Sequence, residues 1–531
     1  MAGTPDPTGR LWFELFQRRA SRRDFLRAGA GAAALVALGG LPGCSAARRL
    51  RTADRPFRLG VASGDPTADG VVLWTRLDPV ALEGQAAHLD PVAVRWEVAA
   101  DAAFRRIVRS GSADARPELG HSVHVELDGL EPGREYFYRF DVGGDASPVG
   151  RTKTAPATDA PTQRFDFAFV SCQHYEHGYF TALRHLSEEP LDAVVHLGDY
   201  IYEGARNPRG VRHHEGAETV DLAGYRARYA TYRGDADLQA AHASAPWLVT
   251  FDDHEVDNDW AADVPEDDQS TEAFLLRRAA AFQAFYEFMP LRRSSMPRGP
   301  AMAMHRRLAF GDLVEMSLLD TRQYRSDQPC GRNIAPSCTE HRQLGRTLLG
   351  EAQKQWLFDG IGRSEARWNI LAQQVLMARF RDIREGAEMW SMDKWDGYPL
   401  ERDEVLGALA DSGVANPVVL TGDIHSSWVT RLLRDFENER SEVVATEFAC
   451  TSLTSGGDGQ PMTSWGEAAL RHNAHVDFYD SRRGYVRCSV RPDRMEARYR
   501  MVPFVQRPGA PVETLETFVV ESGRAGAERG G

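Results

Sequence analysis

Ala193-Val194-Val195-His196-Leu197-Gly198-Asp199-Tyr200-Ile201-Tyr202-Glu203 is the stretch on which the reading of this chain turns. Its apolar start has the length and composition of a buried strand. Gly198 stops the strand, and Asp199 and Tyr202 stand three residues apart just past its end. A carboxylate and a phenol at the carboxyl edge of a sheet are placed to grip a hard metal cation. Further along, three more apolar runs end in clusters of the same kind. Cys172 follows 165–170, Asp253 and Asn258 follow 247–251, and Asp423 and His425 follow 418–420. Sites in open α/β sheets form just beyond the carboxyl ends of strands. One Asp in a turn is most often a cap. Four clusters of ligand-type side chains at one rim would repel one another unless cations held them.

The chain has 531 residues, 42% hydrophobic, with a net charge of -13. That length predicts two to four domains at roughly 150 residues each. The acidic balance argues against a nucleic-acid scaffold, which needs basic surface. Residues 1–45 read as an address. Ser21-Arg22-Arg23-Asp24-Phe25-Leu26 has the twin-arginine pattern, so the export machinery of that route is an expected partner. The Ala/Gly-rich segment 28–41 is too short to span a bilayer. Leu41-Pro42-Gly43-Cys44 reads either as a lipoprotein box, with Cys44 carrying a lipid anchor, or as a region of plain cleavage. The expected location is periplasmic, extracellular or cell-surface. In an exported protein Cys330 and Cys338, eight apart, read as a disulfide-closed loop. Cys450 and Cys488 either pair or stay as buried thiols.

Residues 55–155 are expected to form a separate β-sandwich. The corner Leu130-x-Pro132-Gly133-x-x-Tyr136-x-Tyr138 is similar to that of fibronectin- and immunoglobulin-like modules. A Thr/Pro/Ala-rich linker, 152–163, leads into strands alternating with helices over 163–522, an α/β pattern. A long helix is expected over 223–243. The β-like runs after 443 are expected to complete a second sheet, and the tail 523–531 to be flexible. Trp390, Trp395, Tyr398 and Trp428 read as core packing or as the wall of a substrate groove.

Gly198-Asp199-x-x-Tyr202, Asp252-Asp253-His254-Glu255 and Gly422-Asp423-Ile424-His425 resemble the metallophosphatase motifs, in the variant of PhoD-like alkaline phosphatases and phosphodiesterases. Leu59–Pro66, Leu319-Asp320-Thr321-Arg322 and Trp395-Asp396-Gly397-Tyr398-Pro399 carry the likeness across residues 57–520. The resemblance implies a four-layer α-β-β-α catalytic domain behind an immunoglobulin/fibronectin-like sandwich. It also implies a ferric ion, Fe(3+), beside calcium, Ca(2+). Tyr202, Cys172 and His425 match the iron ligands, Asp199 the bridge, and Asp253, Asn258 and Asp423 the calcium side. That sorting agrees with ligand chemistry. Gln374 would take the place of a histidine ligand, with Gln373 equally available.

Two adjacent cations would bring a shared water to ionise near neutral pH, and the resulting hydroxide would attack phosphorus in line. His254 either contacts the phosphate or protonates the leaving alkoxide, or else it bonds a backbone carbonyl. Arg322 either clamps the phosphate or pairs with a nearby acid. Glu255 is expected to orient a ligand. The expected activity is secreted, metal-dependent hydrolysis of small-molecule phosphoesters. The alternatives are a phospholipase D-like enzyme acting on lipid headgroups and an inactive, metal-loaded surface binding protein.

Overall fold

The computed structural model describes residues 56–78, 90–331, 334–384 and 386–530. The twin-arginine segment and Cys44 lie outside the described residues. Among the described residues no helix is long and apolar enough to cross a membrane.

The opening stretch forms the strand Ala193–His196. It runs parallel to Phe165–Val170 on one side and to Pro246–Val249 on the other. Side chains alternate between two cores, as the pleat requires. Phe165, Phe167, Phe169, Ala193 and Val195 enter one core, while Ala168, Val170 and Val194 enter another. Each fully buried Phe or Val contributes roughly 1.5–3 kcal/mol.

These strands lie inside a ten-stranded sheet. A seven-stranded sheet contributes Val314–Leu318, Trp368–Ala372, Pro417–Thr421 and Val443–Ala449, all parallel to their neighbours in that order. Phe310, Met316, Trp368, Ile370, Val418 and Leu420 of this second sheet share a core with Phe167 and Val195 of the first. The helices Leu222–Arg233 and Thr271–Phe288 supply Tyr225, Tyr229, Phe282 and Phe285 to the core on the far face of the first sheet. Pro399–Asp411 supplies Val405 and Leu406 to that of the second.

The structure departs from the sequence expectation at several places. Val61–Gly64, Val71–Arg76 and Ser122–Leu127 are not a sheet apart. Val61–Gly64 pairs in parallel with Pro246–Val249, and the other two extend the ten-stranded sheet. A smaller five-stranded sheet retains Val92–Ala99, Ile107–Ala115, Glu135–Val142, Asp145–Ala146 and Gly150–Lys153. Within it the Glu131 N–H donates to Tyr136 Oη at 3.0 Å, closing the tyrosine corner. Of the strands after residue 443, Val443–Ala449 and Val476–Asp480 join the second sheet. Arg483–Val490, Arg494–Val502 and Glu513–Glu521 build out the first.

The expected helix over 223–243 is two helices, Leu222–Arg233 and Ala236–Ser244. Asp235 starts the second by accepting from the Asp237 and Leu238 N–H groups. The tail is not wholly irregular, because Glu528–Arg529 pairs with the edge strand Glu513–Glu521. Cys330 and Cys338 are joined by a disulfide, and Cys450 and Cys488 are free and buried. Trp390, Trp395, Tyr398 and Trp428 are all buried in cores.

Candidate metal centre

The carboxyl ends of both sets of parallel strands meet at one place, tied by an isolated parallel bridge between Ser171 and Ser452. The chain turns sharply there. Cys172, Asp199, Asp423 and His425 all have left-handed backbones, with φ of 59°, 56°, 60° and 53°. Such conformations cost about 1–3 kcal/mol each in a non-glycine residue and cluster at functional sites. Two preceding glycines make the turns possible. A Cβ on Gly198 would lie 2.5 Å from Asp252 Cβ, and one on Gly422 would lie 2.8 Å from Ser171 Oγ.

Two clusters of metal-type donors result, each with its ligand atoms within 4.8 Å of one another. One is Cys172, Asp199 and His425. The other is Asp199, Asp253 and His254. Asp199 belongs to both. Its Oδ2 accepts from Tyr202 Oη at 2.7 Å, and its Oδ1 is buried with no hydrogen-bond partner. An orphaned carboxylate oxygen aimed between two donor sets fits a cation that both sets share. Burial pushes the Asp199 carboxyl up to about 7.

On the first side the Cys172 thiol is fully buried, and burial pushes it well above its ordinary range. Tyr202 Oη lies 3.2 Å from His425 Nε2 and 2.6 Å from Ser455 Oγ. Ser455 Oγ also lies 2.8 Å from the Cys172 carbonyl oxygen. The Tyr202 ring is sandwiched by the rings of His174 at 4.3 Å and His254 at 4.1 Å. Thiol, phenol, imidazole and carboxylate together suit a transition-metal ion.

On the second side neighbouring groups orient the donors. Asp253 Oδ2 accepts from the Asp259 N–H at 2.8 Å. The Asn258 side-chain amide donates to Glu266 Oε1 at 2.6 Å. Asp423 is in neither donor cluster, and its carboxylate is ion-paired with Lys394. Carboxylate and amide oxygens of this kind suit a hard cation.

His254 does not bond a backbone carbonyl. Its Nδ1 meets Glu203 Oε2 at 2.8 Å, and Glu203 Oε1 accepts the Asn258 N–H at 2.9 Å. Burial lowers the His254 pKa, but Glu203, Asp253 and Asp199 outweigh it and hold the imidazolium well above its usual value. Glu255 acts on backbone: its carboxylate accepts the Asp199, Tyr200 and Asp252 N–H groups at 3.1, 2.5 and 2.9 Å. That fixes the turn that aims Asp199.

Two open readings are decided. Arg322 is not free to clamp a phosphate: it has no exposed surface, and its guanidinium is spent on Asp252 at 2.6 Å and Asp393 at 2.9 and 3.0 Å. Gln374 is no ligand either. Its amide is saturated by Thr321, Thr250 and Leu319, and Gln373 is held by Thr421 and Trp395. Glu203, Ser455 and Lys394 were not anticipated. Glu203 closes the opening stretch itself, and a carboxylate directly after a ligand was its signal. Ser455 and Lys394 reach the rim only through the folding of distant loops.

The model of the PhoD-like phosphatase family matches residues 167–499, and that of its N-terminal domain matches residues 43–156. The chain belongs to the PhoD-like phosphatase family. Alkaline phosphatase D of Bacillus subtilis is 50% identical over 479 residues, covering 89% of this chain and 82% of that protein. A solved PhoD structure superposes with a TM-score of 0.87 at 50% identity, covering 90% of this chain and 92% of the other. The matched family region holds all four strand ends that carry the PhoD-like motifs.

Proposed function

We propose that this chain is an exported, metal-dependent alkaline phosphatase/phosphodiesterase that releases phosphate from small organic phosphoesters. Membership of the PhoD-like family supports hydrolysis of phosphoesters. The observation that carries the metal dependence is the unpartnered, buried Asp199 Oδ1 shared by two donor clusters. Cys172, Tyr202 and His425 would hold iron, Asp199 would bridge, and Asp253, Asn258 and Asp423 would serve calcium. Such cations supply a water that ionises near neutral pH and neutralise charge on the phosphoryl oxygens.

The chain's own residues then do the rest. Glu203 Oε2, 2.8 Å from His254 Nδ1, would hold the proton there and leave Nε2 to meet the leaving group. An imidazolium there gives its proton to the departing alkoxide oxygen as the P–O bond breaks. Arg322 keeps Asp252 and Asp393 paired and acts only through them. The shared core of the two sheets, with helices on their far faces, supports a four-layer catalytic domain over residues 163–522. Export by the twin-arginine route rests on residues 21–26 alone.

Hydrolysis of p-nitrophenyl phosphate and bis-p-nitrophenyl phosphate with added calcium tests the reading, alongside elemental analysis. The expected outcome is turnover of one or both, with iron and calcium bound. Metal-loaded protein that turns over neither would leave an inactive binding protein. Preference for a choline phospholipid would select the phospholipase D-like alternative.

A further inference from the structure

The cations around the rim are not equivalent. Arg322 is spent on Asp252 and Asp393. Arg325 is spent on Tyr398 Oη and the Asp393 carbonyl oxygen, at 3.1 and 2.6 Å. Arg483 is held by the carbonyl oxygens of Gly457 and His425, both at 2.7 Å. Each guanidinium is locked onto protein acceptors. Lys394 differs. Its ammonium is paired with the Asp423 carboxylate, and its side chain is 18% exposed. Its backbone is fixed: Lys394 N–H donates to the Ser391 carbonyl, and the next residue, Trp395, is buried with its indole N–H on Gln373. The stem therefore starts from a rigid point and ends at the rim.

Asp423 is a proposed calcium ligand, so Lys394 and the cation contend for one carboxylate. The ammonium lies on Asp423 Oδ2, and a cation that takes that oxygen displaces it. A lysine stem has four rotatable carbons and three rotating donors, so it can re-aim without backbone movement. The reacting phosphoryl group brings three anionic oxygens into the same cleft, and lysine binds such groups as a point charge.

We propose that Lys394 is a phosphate-binding residue, whose ammonium at Asp423 on the rim swings to a phosphoryl oxygen when a cation takes that carboxylate. This rests on the proposed phosphoester reading for its substrate.

Calorimetric titration of inorganic phosphate into the metal-loaded protein tests it without requiring turnover. Lys394→Met should bind phosphate about tenfold or more weakly, the effect of losing one hydrogen bond to a charged group. Its iron and calcium content should match that of the parent, and metal-free Lys394→Met should bind calcium at least as tightly. Lys394→Arg should recover most of the phosphate affinity. Unchanged phosphate affinity in the Met variant overturns the proposal. So does calcium loss in both variants, which would make Lys394 a structural counter-ion. Phosphate binding that depends on Lys394 in a protein that turns over no ester would retire the hydrolase reading and leave the binding assignment standing.

Discussion

The two halves of the centre differ in how complete they are before any cation arrives. On the sulfur and phenol side, the donors already bond to one another: Tyr202 to Asp199, to His425 and to Ser455. On the oxygen side, the Asn258 Nδ2 bond to Glu266 and the Asp259 N–H bond to Asp253 orient those side chains and leave oxygens for a cation, whereas the Asp423 carboxylate is paired with Lys394. The first half is pre-organised and needs chiefly to lose protons. The second must trade the Lys394 ion pair of Asp423 for a cation. Pre-organised sites bind tightly because little ordering is left to do, whereas a site that trades ion pairs binds more weakly and reversibly. The structure thus predicts a permanently held ion beside an exchangeable one.

The harshest break of that contrast is Asp199→Asn, which strikes both halves. Both metals should be lost on elemental analysis, with activity down about a thousandfold or more, equivalent to ~4 kcal/mol. Retention of either metal at full occupancy would show that Asp199 is not shared. Tyr202→Phe should strike one half only. The visible charge-transfer band should vanish while calcium still binds, as a spectrum and a calcium titration would show; a surviving band removes Tyr202 from the iron side. Glu203→Gln works at one remove, through His254 and the Asn258 backbone. A loss of 10–100-fold in activity is expected, with the basic limb of the pH–rate profile moved to lower pH because the imidazolium loses its counter-ion.

The smallest effect is thermal. Asp199 in the metal-free protein has its carboxyl raised to about 7, so the native state binds the proton more tightly than the unfolded chain does. Its contribution is therefore present at low pH and lost as pH rises from about 4 to about 7. Metal-free Asp199→Asn should gain in Tm on the parent across that window by several degrees, and a constant difference would refute the shift.

Much of this was legible in the sequence because the chemistry follows strand ends. Ala193–His196 is read from its apolar run, and Asp199 and Tyr202 follow it at fixed spacing. Cys172, Asp253 and His425 were reached the same way. Arg322 stays open in the sequence because a position after a strand end serves equally to clamp a phosphate and to neutralise buried acids. What distinguishes the two roles is Asp393, 71 residues away. Lys394 and Ser455 were invisible for a related reason: their partners lie across loops whose course no local pattern fixes. The β-runs after 483 alternate like any strand, and pattern alone does not say which sheet they join.

The ten-stranded sheet has a kinetic consequence. Ser63 pairs with Pro246, and Phe169 with Val486, so the strands that carry the site are flanked by partners hundreds of residues away in the chain. Contacts of such long range must wait for large loops to close, which makes folding slow. A chain emerging during synthesis has no finished rim until residue 490 is free. Until then Cys172 lacks the strand Arg483–Val490 that flanks its own, and burial of its thiol waits on that long-range closure.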